Sequence, residues 1–281
     1  MKRIAIITGA SSGMGKEFAQ ELFYNSKKYG FGTIDEIWIL ARRIDRLTEL
    51  KFDLDKEAEN NPTLDYPKIN SIEINLSGKN GVATFNALLK AEQQIAQKSG
   101  GFEIALLVNN AGFGTYGEFA TTPLDKELDM IELNCTSLTG LCGLCIPFMN
   151  QNSSIINVAS LAAFLPLGNF AVYAATKSYV LSFSVALAAE LKDKGIHVTA
   201  MCPGSVSTEF ANVASNGARK EVLHGKSAKK TAVHALKAAT RKKYIALWAP
   251  KWKFTAFLSR FVGRFLGARY TYKYNKRPSS F

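Results

Sequence analysis

The chain has 281 residues, of which 47% are hydrophobic and 21% charged, a balance that fits one folded domain and excludes a largely disordered chain. Four cysteines in apolar runs, and a start that leads directly into a predicted strand, argue against a disulfide-stabilised secreted protein, so we expect a cytoplasmic location. The net charge of +12 arises in the C-terminal part. Residues 219–281 carry 17 Lys+Arg and one acidic residue, whereas residues 1–218 carry 18 Lys+Arg and 22 Asp+Glu.

The first predicted elements are a strand, Arg3–Ile7, a glycine-rich turn, Thr8–Gly15, and a helix. Glycines let the backbone approach a pyrophosphate, and the N–H groups at a helix N-terminus favour its negative charge. The spacing is Gly-x-x-x-Gly-x-Gly, which differs from the commoner Gly-x-Gly-x-x-Gly, so an ordinary strand-to-helix turn is the alternative. The residues predicted to contact the phosphates are Gly9, Ser11, Ser12, Gly13, Met14 and Gly15.

The second predicted strand, Glu36–Leu40, is followed by Arg42 and Arg43, with no carboxylate at its tip. A carboxylate there would bind the ribose 2′-hydroxyl of NAD, whereas guanidinium groups suit the 2′-phosphate of NADP. We therefore predict NADP(H) as the cofactor and Arg42 as the main phosphate contact. A solvated start of the next helix is the alternative, since Asp45 follows closely.

The remaining elements alternate between strands and helices, which predicts an α/β fold with one doubly wound, Rossmann-type parallel sheet flanked by helices. We assign residues 1–250 to this single domain and residues 251–281 to a basic C-terminal extension. The predicted strands are Lys68–Ile74, Ile104–Val108, Ser154–Val158, Ile196–Met201 and Tyr244–Trp248, and the predicted helices are Asp45–Glu59, Gly81–Gln97, Lys126–Met149 and Ala171–Lys192.

Tyr173 and Lys177 lie one helical turn apart, and Ser160 precedes them in the sequence. A tyrosine titrates near ~10, and an ammonium on the same helix face favours the phenolate, so we expect Lys177 to lower the pKa of Tyr173. The Ser160 hydroxyl could hold a substrate oxygen within reach of this pair. Because Tyr-x-x-x-Lys pairs are also common on solvated helices, the interpretation depends on other motifs in the chain.

Six motifs, in order, resemble those of the short-chain dehydrogenase/reductase family: Thr8–Gly15, the Asn-Asn-Ala-Gly run at 109–112, Asn134, Ser160, the Tyr173–Lys177 pair, and Pro203–Thr208. The resemblance implies that Tyr173 is the general acid or base, that Lys177 supports it, that Ser160 orients the carbonyl and that Asn134 supports a water relay. It also implies cofactor contacts from Tyr173, Lys177, Asn75, Leu76, Asn110, Ala111, Gly112, Pro203, Gly204, Val206 and Thr208, and pairing into a homodimer or homotetramer. Asn75 stands where relatives often have Asp; it can still bond the adenine edge, but without the charge.

Cys142 and Cys145 form a Cys-x-x-Cys pair, with Cys135 one heptad before Cys142. The pair lies in an apolar helical pattern, and the three histidines offer no convincing further ligands. We interpret these thiols as core residues and predict no metal site.

The basic extension contains seven apolar residues at helical spacing, which predict one continuous amphipathic helix: Phe254, Phe257, Leu258, Phe261, Val262, Phe265 and Leu266. A helix of this kind could lie on an anionic membrane through residues 251–270, cover the catalytic domain as a lid, or pack against another subunit. No nucleic-acid recognition motif accompanies the positive charge, so we expect no nucleic-acid partner.

Apolar and aromatic residues predominate in the loops that should flank the site: Phe113, Tyr116, Phe119, Phe164, Leu165, Leu167 and Phe170. They predict a bulky hydrophobic ketone or secondary alcohol as substrate, such as a hydroxysteroid or bile acid. Reduction of acyl-chain or small carbonyl compounds is one alternative. A non-catalytic scaffold that responds to a dinucleotide is another.

Overall fold

Seven strands pair in parallel into one sheet in the computed structural model, which describes residues 1–220, 222 and 224–281. The strands are β1 Lys2–Thr8, β2 Glu36–Ala41, β3 Lys68–Glu73, β4 Phe102–Asn109, β5 Ser154–Val158, β6 His197–Met201 and β7 Ile245–Ala246. Their order across the sheet is β3-β2-β1-β4-β5-β6-β7. Strands β2 and β3 therefore lie on one side of β1, and β4 to β7 follow on the other side. This arrangement confirms the predicted doubly wound fold.

Ten helices were assigned among the described residues. They are α1 Gly13–Asn25, α2 Ile44–Asn60, α3 Gly78–Ala96, α4 Leu124–Ile131, α5 Leu138–Cys145, α6 Ala171–Leu191, α7 Phe210–Ala214, α8 Ala228–Thr240, α9 Pro250–Leu258 and α10 Arg264–Tyr274. A π-helical segment, Glu132–Ser137, joins α4 to α5.

Two hydrophobic clusters cover the two faces of the sheet, because the side chains of a strand point alternately to opposite sides. In β1, Ile4 and Ile6 belong to one cluster, with residues of α3, α5 and α6. Ala5 and Ile7 belong to the other, with residues of α1, α2 and α8. Burial on both faces explains why the central strands are almost continuously apolar.

Two helices, spanning Leu124–Phe148 and Ala171–Lys194, are long and apolar enough to cross a membrane by length and composition alone. Both contribute buried residues to the sheet's hydrophobic core, including Leu141 and Leu187. Their apolar character is therefore explained by packing within the domain.

The prediction of one continuous C-terminal helix is wrong. Helix α9 ends at Leu258, and α10 begins at Arg264 after a turn. Gly263 precedes α10 with an extended ψ of 131°, and glycine has a low helix propensity. The helix is therefore interrupted here, although the apolar residues keep their helical spacing across the interruption. The predicted strand Tyr244–Trp248 is also shorter, since only Ile245–Ala246 pairs with β6.

Candidate active site

A cleft of about 650 Å³ opens beyond the carboxyl ends of β1 and β4, where the winding direction of the sheet reverses. The Thr8 Oγ1 accepts hydrogen bonds from the N–H groups of Asn110 and Ala111, both at 2.9 Å, and so fixes the loop after β4. Gly9 has a φ of +66°, and a Cβ there would lie 2.9 Å from the Ala111 Cα. A larger residue at Gly9 would therefore push the glycine-rich turn after β1 away from the loop after β4.

Most predicted cofactor contacts line this cleft: Gly9, Ser11, Ser12, Gly13, Met14, Arg42, Asn75, Leu76, Asn110, Ala111, Gly112 and Thr208. The other positions support its walls. Gly15 lies against the Gly9 carbonyl, and the Pro203 carbonyl accepts a hydrogen bond from the Leu161 N–H at 2.8 Å. Gly204 and Val206 pack against Trp252 of α9.

Arg43, the neighbour of the predicted phosphate contact Arg42, is hydrogen-bonded to the glycine turn. Its guanidinium donates to the Ser11 hydroxyl at 3.1 and 3.2 Å and to the Ser12 hydroxyl at 2.8 Å. It also pairs with Glu209 at 3.0 Å, and Arg46 pairs with the same carboxylate. Arg42 lines the cleft as an exposed side chain. Both guanidiniums flank the turn before α1, but only Arg43 is hydrogen-bonded to it among the described residues.

These residues fit a dinucleotide phosphate. Helix α1 begins at Gly13, directly behind the two serine hydroxyls, and its first turn carries no acidic residue. Its N–H groups, the serine hydroxyls and Arg43 together form a donor-rich cradle of the kind that binds phosphate oxygens. A Cβ at Gly13, where φ is +54°, would lie 3.1 Å from the Thr208 side chain and would narrow the cradle.

Ser160, Tyr173 and Lys177 meet beside this cleft. The Ser160 hydroxyl acts on the pKa of the Tyr173 phenol, donates to the Pro203 carbonyl at 3.4 Å and accepts from the Ala162 N–H at 3.1 Å. Lys177 Nζ donates to the Val158 carbonyl at 2.8 Å and lies 5.7 Å from the centre of the Tyr173 ring. The structure thus assembles three of the predicted catalytic groups.

Burial is the largest cause of the pKa shifts of Tyr173 and Lys177. It raises the pKa of Tyr173 above its usual range, and the hydrogen bond from Ser160 offsets only part of this. It also lowers the pKa of Lys177 to about 8, because the ammonium is desolvated. The predicted net lowering of the Tyr173 pKa is therefore wrong for this arrangement, because burial outweighs the effect of nearby charge and the Lys177 ammonium is directed to the Val158 carbonyl.

Asn134, the fourth predicted catalytic residue, lies in the π-helical segment and is 1% exposed. Its Oδ1 accepts from the Phe113 N–H at 3.1 Å, while its Nδ2 donates to the Phe113 carbonyl at 2.9 Å and to the Thr176 hydroxyl at 3.1 Å. The side chain thereby joins the loop after β4 to helix α6, one residue before Lys177. Single-turn π insertions occur often at functional sites, which accords with this placement.

An aromatic cluster packs around Tyr173. The Phe170 ring stacks on Tyr173 at 4.2 Å between centroids, and Tyr116 contacts Phe170 at 4.8 Å. Phe113 and Leu167 pack against the same cluster. Of the other loop residues named from the sequence, Phe119 is 59% exposed, Phe164 packs against the core of the domain, and Leu165 lies beside Gly267 of α10.

A sequence model described as short chain dehydrogenase matches residues 79–219. The very-long-chain 3-oxoacyl-CoA reductase of Rattus norvegicus is 30% identical over 267 residues, which cover 92% of this chain and 76% of that protein. The chain belongs to the short-chain dehydrogenase family. The reductase of the same name from Homo sapiens is 29% identical over 215 residues, which cover 74% of this short-chain dehydrogenase but only 61% of the human protein.

Solved structures agree with this membership. A short-chain dehydrogenase from Sphingobium yanoikuyae in complex with NADPH is 25% identical, with a TM-score of 0.72 and coverage of 93% of this chain and 94% of that one. A bulky-bulky ketone specific alcohol dehydrogenase from Comamonas testosteroni is also 25% identical, with a TM-score of 0.66 and coverage of 93% of both chains.

The C-terminal end of this short-chain dehydrogenase supplies a site residue that sequence reasoning missed. The Arg277 guanidinium carbon lies 4.9 Å from the centre of the Phe170 ring and 5.4 Å from that of Tyr116. Phe281 lines the cleft. The excess of positive charge was the available signal, but it could not show which cation reaches the aromatic cluster around Tyr173.

Proposed function

We propose that this protein is an NADP(H)-dependent oxidoreductase that interconverts a ketone and a secondary alcohol on a large hydrophobic substrate. The observation that carries the proposal is the grouping of Ser160, Tyr173 and Lys177 beside a donor-rich dinucleotide cleft, with the Lys177 ammonium 5.7 Å from the centre of the Tyr173 ring. The assembly of these groups favours an enzyme over the alternative of a non-catalytic scaffold.

The cofactor would be held by the α1 N-terminus, the Ser11 and Ser12 hydroxyls, and Arg43, with Asn75 beside the adenine end of the cleft. When bound, NADPH supplies the hydride for carbonyl reduction. A guanidinium that already bridges two hydroxyls can grip a 2′-phosphate with charge-assisted hydrogen bonds, which supports NADPH over NADH.

The chain's own groups account for the proton chemistry. Burial keeps Tyr173 protonated at neutral pH, as a general acid requires, and its phenol can donate a proton to a substrate carbonyl oxygen. The Ser160 hydroxyl, which donates to the Pro203 carbonyl at 3.4 Å, can rotate to donate its hydrogen bond to that substrate oxygen and so orient it. Lys177 places a positive charge behind the ring, which stabilises the phenolate left after proton transfer.

An acyl chain is the substrate that we favour. The cluster around Tyr173 is apolar, with Tyr116 and Phe170 buried and Phe113 and Leu167 packed against them, and this suits a hydrocarbon chain beside the reacting carbonyl. The names of the relatives, very-long-chain 3-oxoacyl-CoA reductase, support an oxoacyl thioester over the hydroxysteroid or bile acid suggested by the sequence. Small carbonyl compounds would leave much of this apolar surface without contacts.

The C-terminal helices carry a surface that we propose meets an anionic membrane. Seven apolar side chains on residues 254–266, which we call the tail apolar surface, are between 41% and 78% exposed; they are Phe254, Phe257, Leu258, Phe261, Val262, Phe265 and Leu266. Six cations lie in residues 251–273, where the sequence has no acidic residue: Lys251, Lys253, Arg260, Arg264, Arg269 and Lys273. Exposed phenylalanines among cations favour the boundary between anionic headgroups and acyl chains.

Pairing of subunits is a separate expectation. Two residues of α4, Leu128 and Ile131, and two of α6, Tyr179 and Val185, are 39–49% exposed, although both helices also contribute buried residues to the domain. Relatives in this family commonly pair through the corresponding helices, so we propose a homodimer or homotetramer formed here. A cytoplasmic location, with or without peripheral membrane contact, remains a prediction.

The decisive experiment for the proposed activity follows nicotinamide absorbance with purified protein. A panel would contain a long-chain 3-oxoacyl-CoA, a medium-chain aliphatic ketone, an oxo-steroid, an oxo bile acid and a small aldehyde, each with NADPH and with NADH. We expect turnover with NADPH on the oxoacyl thioester and the aliphatic ketone, and much slower turnover with NADH. Tight NADPH binding without any turnover would contradict the proposed activity and favour the scaffold.

A further inference from the structure

The last residues of the chain fold back over the loop that precedes α6 and the residues that follow α7. Thr271 Oγ1 accepts a hydrogen bond from the Gly168 N–H at 2.9 Å, and the Tyr272 carbonyl accepts from Asn169 Nδ2 at 3.1 Å. Farther on, the Ser280 N–H donates to the Ser215 carbonyl at 3.1 Å. We call residues 271–281 the cover segment, since these contacts span from the loop before α6 to the residues after α7.

Arg277 is the residue of the cover segment that reaches the catalytic cluster. Its guanidinium lies against Phe170, and Phe170 stacks directly on Tyr173, so a single ring separates the cation from the catalytic tyrosine. Stacking of this kind fixes the plane of a guanidinium and leaves its N–H groups free to bind an acceptor in that plane.

The guanidinium lacks the acceptor that its burial demands. Its Nη1 is buried and has no hydrogen-bond partner among the residues that the structure describes. The charged or titratable groups that act on it are Tyr116, Tyr173 and Arg219, and burial lowers the pKa of Arg277. The nearby carboxylate of Glu118 is engaged by Lys276 at 3.5 Å and by the Tyr272 hydroxyl at 3.3 Å. A buried cation in this state gains free energy from any oxygen acceptor that reaches it.

We propose that Arg277 is a substrate-specificity residue that binds the acyl oxygen, carboxylate or thioester carbonyl, of an oxoacyl compound whose ketone lies at Tyr173. The inference rests on the proposed function, because it assigns a second recognition point to the same site. Only the Phe170 ring lies between the Arg277 guanidinium and Tyr173. In a substrate that reaches both residues, the acyl oxygen would therefore be separated from the ketone by only a few covalent bonds. Specificity for oxoacyl substrates over simple ketones would then come from the cover segment, outside the glycine turn and the catalytic residues.

The test uses three compounds that share one ketone and one hexyl chain: 4-oxodecanoic acid, its methyl ester and decan-4-one. The values of kcat/KM with NADPH would be measured for the natural chain and for Arg277→Gln, Arg277→Lys and Lys276→Gln. Lys276→Gln removes a neighbouring cation of the same segment without touching the aromatic cluster, so it controls for loss of charge and for looser docking of the segment.

We expect Arg277→Gln to lower kcat/KM for the acid by about 10- to 100-fold, mainly through KM, while decan-4-one changes by less than about 3-fold. The kcat/KM of Arg277→Lys for the acid should lie between that of the natural chain and that of Arg277→Gln. Lys276→Gln should leave the preference for the acid over decan-4-one unchanged. A loss for the methyl ester as large as that for the acid would support recognition of a neutral acyl carbonyl. A smaller loss for the ester would support recognition of a charged carboxylate.

An equal loss on all three compounds, or a shift of the pH profile alone, would overturn the proposal and leave Arg277 a structural or electrostatic role. Failure of the proposed function would be visible separately, as no NADPH oxidation by the natural chain on any of the compounds. In that event, calorimetric titration of the protein–NADP⁺ complex with the acid and with decan-4-one still decides the inference. Tighter binding of the acid that Arg277→Gln abolishes supports it, and equal binding of the two compounds overturns it.

Discussion

Lys177 is the residue at which function and stability oppose each other most directly. Its folded pKa of about 8 lies below the value of 10.5 for an exposed lysine, because burial disfavours the charged form. Below pH 8 the protein must therefore keep an unfavourable buried ammonium. Between pH 8 and 10.5 the unfolded chain binds the additional proton, so this penalty decreases as the pH rises.

We predict that Lys177→Met, which removes the charge but keeps the length, abolishes turnover yet stabilises the fold. At pH 7 the free energy of unfolding should rise by about 1–3 kcal/mol, after allowance for the lost hydrogen bond to the Val158 carbonyl. The gain should vanish as the pH rises from 8 to 10.5. Urea denaturation of both proteins at pH 7, 9 and 10 measures this. A variant that is less stable than the natural chain at pH 7 would contradict the assignment of Lys177 as a destabilising buried cation.

Arg43 is the residue on which the choice of cofactor should depend. We predict that Arg43→Ala raises KM for NADPH by about 10- to 100-fold and changes KM for NADH by less than about 3-fold, because only NADPH carries the 2′-phosphate. Arg46→Ala is the matched control, since Arg46 shares the Glu209 carboxylate but Arg43 makes the bonds to Ser11 and Ser12. If Arg42→Ala loses the preference for NADPH and Arg43→Ala keeps it, then Arg42 binds the 2′-phosphate. That result would contradict the assignment of Arg43.

At the scale of the elements, the sequence was most informative where periodicity and motif agreed. Strand β5 was predicted with its observed bounds, and the predicted bounds of β1, β2 and β4 differ from the observed ones by at most two residues. The glycine turn and the helix with Tyr173 and Lys177 also lie where the motifs placed them. In these segments the apolar pattern of the sequence and the packing on the sheet favour the same structure, so the pattern alone is sufficient to predict the element.

The elements that were missed depend on contacts distant in sequence. The π segment is tied to the start of α3, through hydrogen bonds of Ser137 with the Leu76 carbonyl at 2.5 Å and the Gly78 N–H at 3.0 Å. No apolar period signals such an insertion. The position of Arg277 likewise follows from docking of the C-terminal residues on a loop more than a hundred residues earlier in the chain, whereas the break at Gly263 has a local cause that the apolar spacing does not include. Helical spacing could not reveal either one.

Docking of the cover segment can be tested through Gly168. A Cβ at this position would lie 2.5 Å from the Tyr272 Cβ and 2.8 Å from the Ala268 carbonyl oxygen, so Gly168→Ala should displace the segment. We predict faster proteolysis after residue 268 and a KM for acyl substrates raised by about 10-fold or more, with the affinity for NADPH unchanged. Gly143→Ala is the control, since a Cβ there meets no described atom within 4 Å. An unaltered cleavage rate and KM in Gly168→Ala would show that the segment does not form part of the substrate site.

At the scale of the whole molecule, the charge asymmetry and the tail apolar surface lie on the same segment. The catalytic part of the chain is slightly acidic, while residues 219–281 carry almost half of all the lysines and arginines. An orientation with this segment against an anionic bilayer would direct the cover segment towards the source of a hydrophobic substrate. Each cation near such a surface contributes about 1 kcal/mol, less at high ionic strength.

We predict that the protein sediments with vesicles containing phosphatidylserine, and much less with pure phosphatidylcholine vesicles. Replacement of Phe257, Phe261 and Phe265 by serine should weaken the binding by at least about 10-fold, because three exposed apolar rings would no longer be buried. Phe52→Ser is the control, since Phe52 is 66% exposed on α2, in the acidic part of the chain. Absence of vesicle binding, with self-association that the triple variant abolishes, would assign this surface to a second copy of the chain.

The central claim is that Tyr173 transfers the proton in an NADPH-dependent reduction. It is tested most directly by comparing the natural chain with Tyr173→Phe in two assays: NADPH binding by fluorescence, and NADPH oxidation with a long-chain 3-oxoacyl-CoA. We predict a Kd for NADPH within about 3-fold of the natural value and a kcat lower by at least about 1,000-fold, since the ring remains and only the proton donor is lost. Turnover retained at a tenth of the natural rate or more would contradict the claim.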